Sequence, residues 1–203
     1  MIAALAGLGI GVVAGSLPFA WLLHAIATGR DLRREGSGNP GATNLARSGG
    51  FLWGAAALAL DAGKGAVAVL VATRLFGAGA GVPAALGSVA GHVFSPWLSG
   101  RGGKGVAPAV GAYAAIAPLA TALAVGIFAL VVGVTRFMSL GSVVAAASLP
   151  CLVYVFGPGR TAAAAAAAIA LLIAWRHREN FERMRAGREP RVGVTPAQRG
   201  AAE

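Results

Sequence analysis

Long apolar segments alternate with short polar ones along the chain. The apolar segments cover residues 2–24, 51–73, 82–98, 106–135, 143–156 and 161–175. Several approach or exceed the roughly 20 residues with which an α-helix crosses the hydrocarbon core of a bilayer. A helix satisfies its own backbone hydrogen bonds in lipid, where no water is available. The pattern therefore predicts an all-α polytopic membrane protein.

The number of spans depends on how the longest apolar stretches are divided. Proline interrupts the helical hydrogen-bond ladder, so Pro118 divides one stretch into helices over 106–117 and 118–135. A turn at 157–160 separates the last two segments, and Pro18 bends the first helix near its end. This division gives about seven transmembrane helices. If the two divided stretches are single helices, the alternative is five.

Positive charge is concentrated in the polar segments at one set of helix ends. The net charge is +10, although only 12% of the 203 residues are charged and 57% are hydrophobic. Most lysines and arginines lie in residues 25–50, 99–105, 136–142 and after residue 175. The positive-inside rule places these segments in the cytoplasm, with the N-terminus outside and the C-terminus cytoplasmic. Anionic lipid headgroups suit such charges, and the lack of interleaved aromatic residues predicts no nucleic-acid binding.

The run GHVFSPWLSGRGGKGVA at residues 91–107 breaks the apolar pattern most strongly. Residues 99–105 of this run, here called the glycine loop, carry four glycines and two cations, Arg101 and Lys104. Glycines let the backbone approach a ligand closely, and free N–H groups at the start of a following helix attract anions. The loop is therefore a candidate phosphate site, with a flexible basic loop as the alternative. Its spacing does not match the GxxxxGK[ST] of a Walker A loop.

Two more polar segments fall on the same predicted side. The segment GSGNPGATNLAR at 36–47 is crowded with turn formers, and Thr43, Asn44 and Arg47 share one face of a helix that starts after the turn. The segment HREN at 177–180 carries a histidine that can move a proton near neutral pH. An interfacial histidine without a catalytic task is the alternative. Together these segments predict one site at the membrane–cytoplasm boundary, suited to transferring an acyl chain onto a polar acceptor.

Two ionisable residues, Asp61 and Lys64, lie inside the second apolar segment. Ionisable side chains within a bilayer are costly and face a partner or a cavity. A spacing of three residues puts both on one face of a helix. We expect an ion pair that braces the helix bundle rather than a catalytic pair.

Three motifs, in this order, resemble those of the bacterial acyl-phosphate:glycerol-3-phosphate acyltransferase family, PlsY. They are GSGNPGATN at 36–44 with Arg47 after it, GH…GGKGVA within 91–107, and HREN at 177–180. The GRE at 187–189 is similar too, whereas Pro108 stands where the family usually has threonine. We interpret residues 1–191 as a single integral membrane acyltransferase domain. Residues 192–203 are predicted to be a polar, disordered tail.

The resemblance implies transfer of a fatty acyl group from acyl phosphate to the sn-1 hydroxyl of glycerol 3-phosphate. The products are lysophosphatidic acid and phosphate, in the first acylation of phospholipid synthesis. The resemblance also implies no cofactor, no metal, and a pathway link to a soluble enzyme that forms acyl phosphate. We expect a monomer in the bacterial inner membrane, surrounded by membrane lipid, with its active site facing the cytoplasm.

Site residues follow from the motifs and from the need to neutralise two phosphate dianions. The predicted catalytic residues are Ser37, Arg47, Lys104, His177 and Asn180. The predicted substrate-binding residues are Gly38, Asn39, Thr43, Asn44, His92, Gly102, Gly103, Gly105 and Ser142.

Three alternatives stay open from the sequence. The general base is either His177 or a phosphate oxygen of a substrate. Direct transfer is expected, with an acyl-Ser37 intermediate as the competing mechanism. A membrane transporter for phosphorylated solutes is the alternative function, and it would use the same basic loops as a binding site.

Overall fold

The computed structural model describes residues 1–193, and its regular secondary structure is helical. Residues 194–203 of the predicted tail lie outside the described residues. The first helices are α1 (Ile2–Ser16), α2 (Phe19–Thr28), α3 (Ala42–Gly49), α4 (Phe51–Phe76) and α5 (Gly81–Val93). They are followed by α6 (Val106–Ile116), α7 (Pro118–Thr135), α8 (Met138–Phe156), α9 (Arg160–Arg176) and α10 (Arg178–Arg185). Short 3-10 turns lie at Leu32–Arg34, Ala78–Ala80 and Pro96–Leu98.

Several helices have the length and composition of membrane spans. In the described part of the chain, four stretches are long and apolar enough to cross a bilayer: Ile2–Thr28, Phe51–Phe76, Pro118–Thr135 and Met138–Phe156. The apolar helix α6 is shorter. The protein is thus an all-helical integral membrane protein, while the count of seven or five spans and the orientation of the termini stay predictions.

The predicted proline breaks are confirmed. Helix α1 ends at Ser16 and α2 begins just after Pro18. Helix α6 ends at Ile116 and Pro118 opens α7. Proline fixes its own φ and donates no backbone hydrogen bond, so it suits the first turn of a helix and interrupts the helix before it.

Two predicted boundaries were wrong. The helix expected over 82–98 ends at Val93, where the chain turns into the Pro96–Leu98 segment. The break expected over 136–142 is only two residues long, because α8 begins at Met138. Arg136 adopts a left-handed conformation with φ 61°, which ends α7 sharply. A single residue in this conformation is sufficient to end one helix and start the next.

Glycine spacing lets α1 and α5 pack in direct backbone contact. Gly7, Gly11 and Gly15 recur every four residues on α1, and a Cβ at any of them would overlap the carbonyl oxygen of a residue at the start of α5 or within it. Gly87 and Gly91 on α5 face the carbonyl oxygens of α1 in return. Small residues at this spacing are the usual means by which membrane helices approach closely.

Helices α4 and α6 use the same principle. A Cβ at Gly65 of α4 would overlap the Pro108 carbonyl, and a Cβ at Gly111 of α6 would overlap the Ala62 carbonyl. The buried core continues through α5, α6, α8 and α9 and includes the fully buried Tyr113, whose hydroxyl donates to the Ala162 carbonyl at 2.8 Å. This packing holds the ends of α5, α8 and α9 close together, next to the glycine loop.

Replacing Gly11 with alanine is expected to lower the apparent melting temperature in detergent, because the new Cβ would overlap the Ala84 carbonyl. An extra carbon forced into a well-packed interface costs about 1–3 kcal/mol. Gly9 on the same helix is the matched control, since a Cβ there meets nothing within 4 Å. Gly9→Ala should keep or raise the melting temperature, because alanine favours helix. Equal melting temperatures for both variants would contradict this packing of α1 on α5.

Candidate functional site

A polar cavity lies where α3, the glycine loop, the start of α8 and the α9–α10 junction meet. It is lined by Ser37, Asn39, Thr43, Asn44, Arg47, Lys104, Met138, Ser139, Ser142, His177, Asn180 and Glu189. Four segments far apart in sequence supply these side chains. The cavity therefore brings together all five residues predicted as catalytic and four of those predicted to bind substrate.

The other predicted substrate-binding residues are Gly38, His92, Gly102, Gly103 and Gly105, and they stand outside this lining. Gly38 adopts φ 72° in the turn after Ser37, and Gly105 adopts φ 86° where it caps α6. Both conformations favour glycine, so these two residues shape the backbone. Gly102 and Gly103 directly precede Lys104 in the chain, and Gly103 packs against His92.

Lys104 reaches the cavity from the glycine loop and makes the central contact. Its Nζ donates to Oδ1 of Asn180. The Nδ2 of Asn180 donates to Oε1 of Glu189 at 2.6 Å, and this bond orients the amide so that its oxygen faces the lysine. Ser139 Oγ and Arg183 Nε also donate to the Glu189 carboxylate, both at 2.8 Å.

This chain of hydrogen bonds sets the charges of the site. Burial alone would raise the pKa of Glu189, but the hydrogen bonds from Asn180, Ser139 and Arg183 hold it below its usual value. Burial, reinforced by the positive charge of Arg183, lowers the pKa of Lys104 to about 8. The site therefore holds an ionised carboxylate behind a half-buried ammonium group, which is protonated at neutral pH and loses its proton above about pH 8.

His177 lies at the junction of α9 and α10 and is buried. Its Nδ1 lies 2.8 Å from the Ile173 carbonyl oxygen, which can only accept. Nδ1 therefore carries the proton, and Nε2 of the neutral ring keeps a lone pair. Burial, with the nearby charge of Lys104, lowers the pKa of His177 to about 4. The ring is neutral at pH 7 and can accept a hydrogen bond from a ligand hydroxyl.

Ser37 and Asn44 form a second fixed group on the other side of the cavity. The predicted helix after the turn is confirmed as α3, and it buries Asn44. Asn44 Oδ1 accepts from the Ser37 backbone N–H at 2.8 Å and from its hydroxyl at 3.1 Å. Asn44 Nδ2 donates to the carbonyl oxygens of Leu32 and Glu35. Because its donors are used within the protein, Asn44 positions Ser37 rather than offering its amide to a phosphate.

The glycine loop differs from the predicted cradle of open amides. Gly102 N–H donates to the Val93 carbonyl at 3.0 Å, and Gly103 N–H donates to the His92 carbonyl at 3.1 Å. These two amides are therefore not open donors for an anion. A Cβ at Gly103 would overlap the His92 imidazole, so glycine is needed there for close packing. The cation of Lys104, not the loop backbone, faces the cavity.

The expected ion pair of α4 is confirmed. Lys64 Nζ lies 2.6 Å from Asp61 Oδ1, and both side chains are buried. The ammonium group also donates to the Leu17 carbonyl at 2.6 Å and lies 2.9 Å from Nδ1 of His92. The pair therefore ties α4 to the α1–α2 break and to α5, and His92 stands between this pair and the glycine loop.

Sequence reasoning assigned no role to Ser139, Arg183 or Glu189, although the carboxylate of Glu189 organises the site. The similarity of GRE at 187–189 to a known family was the signal that could have found Glu189. Ser139 carried no signal, because it lies in an apolar helix start and contacts Glu189 only through tertiary structure. Among residues 1–193, no group of three or more His, Cys, Asp or Glu side chains is arranged to hold a metal ion.

Comparison with known proteins gives one consistent family. A family model described as glycerol-3-phosphate acyltransferase matches residues 5–187. A glycerol-3-phosphate acyltransferase of Agrobacterium fabrum is 41% identical over 184 residues, covering 91% of this chain and 89% of the relative. The enzyme of the same name from Rhodopseudomonas palustris is 42% identical over 189 residues, covering 93% and 96%.

Two solved structures are also similar. Both are of PlsY, described as an integral membrane glycerol 3-phosphate acyltransferase. The glycerol 3-phosphate form has a TM-score of 0.86 and 34% identity, covering 94% of this chain and 96% of that one. The lysophosphatidic acid form has a TM-score of 0.82 and 32% identity, covering 94% and 95%.

Glu189→Gln is expected to destabilise the protein, because the amide that replaces one carboxylate oxygen cannot accept all three hydrogen bonds. A buried donor left without its acceptor costs about 1–3 kcal/mol. Thermal unfolding in detergent measures this loss. Glu179→Gln is the matched control, since Glu179 is exposed and its ion pair with Arg178 is long, at 3.7 Å. An equal loss in both variants would remove Glu189 from the centre of the network.

Proposed function

Because the chain belongs to the glycerol-3-phosphate acyltransferase family, we propose that it transfers a fatty acyl group from acyl phosphate to the sn-1 hydroxyl of glycerol 3-phosphate. The products are lysophosphatidic acid and phosphate. That the chain is a glycerol-3-phosphate acyltransferase follows from the family; the acyl-phosphate donor and the sn-1 position are the proposal.

One observation supports this proposal above the others. A single polar cavity is lined by Lys104, Arg47, Ser37, Ser142 and His177, which come from four separate segments of the chain. Cations and hydroxyl groups are the partners that phosphate oxygens need, and a neutral imidazole suits a reacting hydroxyl. The ends of apolar helices surround the cavity, so a lipid chain can approach it from the membrane.

Charge neutralisation is the first requirement of this reaction. Acyl phosphate and glycerol 3-phosphate both carry phosphate dianions, which repel each other at the distance needed for reaction. Lys104 and Arg47 supply positive charge within the cavity. A bound dianion favours the protonated form of Lys104, so substrate binding raises the pKa of this lysine from its value of about 8 in the free protein.

The chemical step is a direct acyl transfer. The sn-1 hydroxyl oxygen attacks the carbonyl carbon of the acyl phosphate, and a new ester C–O bond forms. The C–O bond to the phosphate breaks, and its electron pair leaves with the phosphate oxygen. Lys104 and the other donors of the cavity stabilise the negative charge that develops during this step.

The proton of the hydroxyl goes to a phosphate oxygen. His177, with a pKa of about 4, is too weak a base to hold that proton near neutral pH. The second ionisation of a phosphate group lies near pH 6, which makes it the better acceptor. Nε2 of His177 accepts a hydrogen bond from the attacking hydroxyl and orients it. Ser37, whose hydroxyl donates to Asn44, forms no acyl intermediate.

The site lies at the helix ends that carry most of the basic residues, and the positive-inside rule supports a cytoplasmic orientation for it in the bacterial inner membrane. Glycerol 3-phosphate then enters from the cytoplasm, and a soluble enzyme that forms acyl phosphate supplies the lipid substrate. The protein acts as a monomer, since the described chain supplies every side chain used above. The transporter alternative is set aside, because the family is one of acyltransferases.

Purified protein in detergent is expected to convert palmitoyl phosphate and sn-glycerol 3-phosphate into 1-acyl lysophosphatidic acid, identified by mass spectrometry. Palmitoyl-CoA with the same acceptor should give no product. Product from acyl-CoA but not from acyl phosphate would refute the proposed donor. Acylation at the sn-2 hydroxyl would refute the proposed position.

Lys104 is expected to give the reaction an alkaline limit. Its pKa of about 8 in the free protein means that the cation is present below that pH and lost above it, so kcat/KM should fall above about pH 8. Lys104→Arg keeps its charge at every accessible pH. Its profile should therefore extend to higher pH, even if its maximum rate is lower.

Lys104→Ala is the reference for complete loss of this cation, and its kcat/KM should fall on the order of 10²-fold or more. An alkaline limb at the same pH in wild type and Lys104→Arg would show that another group sets the limit. Full activity in Lys104→Ala would remove this lysine from the reaction.

A further inference from the structure

The glycine loop places Lys104 in the cavity, so the position of this loop decides whether the cation meets the substrates. Backbone hydrogen bonds attach the loop to the end of α5. Gly102 and Gly103 donate their N–H groups to the carbonyl oxygens of Val93 and His92 at 3.0 and 3.1 Å. These bonds fix how far the loop lies from α5, but they do not connect it to the helices that carry His177 and Asn180.

Arg176 makes that connection. Its Nη2 donates to the Gly102 carbonyl at 2.9 Å, and its Nε donates to the Gly103 carbonyl at 3.3 Å. One guanidinium group thus spans two successive carbonyl oxygens of the loop. The planar fork of arginine holds such a pair in one geometry, which the point charge of lysine cannot do.

The guanidinium group of Arg176 is itself held in place. It lies 5.7 Å from the centre of the Trp175 ring, a distance at which a cation is attracted to the ring face. Trp175 in turn contacts Phe94, with ring centres 6.3 Å apart. Phe94 follows directly after Val93, so the aromatic pair joins the end of α9 to the end of α5.

Arg176 lies in the chain next to residues that line the cavity, so its contact with the glycine loop connects that loop to them. The next residue is His177, and Asn180, which accepts the hydrogen bond of Lys104, follows one turn later. Arg176 stands outside the cavity lining. From outside the cavity, it therefore links the loop that carries Lys104 to the helix junction that carries His177 and Asn180.

We propose that Arg176 is a positioning residue, which clamps the carbonyl oxygens of Gly102 and Gly103 and so fixes Lys104 relative to His177 and Asn180. It acts through the loop and touches neither substrate. The inference rests on the proposed function for its kinetic consequence, while the clamp itself can be tested without turnover.

Arg178 is a matched control for Arg176. It lies on the same side of the membrane, carries the same charge and packs on the same Trp175 ring, at 4.8 Å. Its own hydrogen bond goes to the Trp175 carbonyl, not to the glycine loop. Arg178→Ala therefore removes a charge and a ring contact but leaves the clamp intact.

The first test is amide hydrogen exchange of a peptide covering residues 99–105, measured by mass spectrometry on the purified full-length protein in detergent without substrates. The bonds of the Gly102 and Gly103 amides protect them in the wild type. Arg176→Ala should speed exchange of this peptide, and Arg178→Ala should not. Equal exchange in wild type and Arg176→Ala would overturn the clamp.

The second test is kinetic. Arg176→Ala should lower kcat/KM on the order of 10²-fold, as expected when a catalytic group is displaced by about 1 Å. Arg176→Lys should fall between wild type and Arg176→Ala, and Arg178→Ala should stay within about twofold of wild type. Loss of equal size in Arg176→Ala and Arg178→Ala would assign the effect to surface charge and overturn the proposal.

Two outcomes are distinguished by the design. If wild-type protein transfers no acyl group from acyl phosphate, the proposed function fails, and hydrogen exchange alone decides the clamp. If Arg176→Ala does not fold, Arg176→Lys carries both tests. Wild-type exchange and wild-type kcat/KM in Arg176→Lys would then overturn the clamp.

Discussion

The hydrogen bond between the Lys104 ammonium and Asn180 is the interaction on which the rest of the site depends. A half-buried cation is costly unless its charge is balanced, and here the carboxylate of Glu189, which accepts a hydrogen bond from Asn180, balances the charge of Lys104. The amide between them keeps the lysine from a direct ion pair with the carboxylate. Lys104 can therefore form a direct ion pair with the phosphate dianion of a substrate.

The membrane-embedded helices serve this arrangement by close packing. Glycines on α1, α4, α5 and α6 let backbones meet directly, which fixes helix ends without long side chains. The buried Asp61–Lys64 pair adds a polar tie from α4 to the α1–α2 break and to His92. A rigid frame is what a site needs when the side chains that line it come from four separate segments, because small displacements of reacting groups cost large factors in rate.

Features that depend on local sequence were predictable. Pro18 and Pro118 interrupt helices through their own covalent structure. Asp61 and Lys64 form an ion pair because a spacing of three residues puts them on one helix face. Eight of the nine predicted residues in the cavity came from motifs with recognisable chemistry, and the ninth, Ser142, came from a break between apolar segments. The role of Glu189 was not predictable from its residue type, since its three donors come from α8 and α10 and meet only in the folded chain.

The amides of the glycine loop are a second feature that the sequence alone did not predict correctly. A glycine-rich loop before a helix predicts open N–H groups, but Gly102 and Gly103 use theirs on the end of α5, which stops at Val93 rather than at residue 98. Pro96, three residues beyond Val93, is a local signal for the end of α5 that the predicted boundary did not use. Which carbonyl oxygens the loop amides reach depends on how the loop folds back on α5, and the sequence pattern does not contain that information.

In the proposed mechanism, both substrates meet in one cavity and react directly. The most direct measurement is a single turnover with palmitoyl phosphate and a slight excess of protein, following phosphate before and after glycerol 3-phosphate is added. Direct transfer predicts no phosphate release before the addition and one phosphate per lysophosphatidic acid after it. Release of one phosphate per donor before the addition, with a hydroxylamine-sensitive acyl group on Ser37, would contradict it.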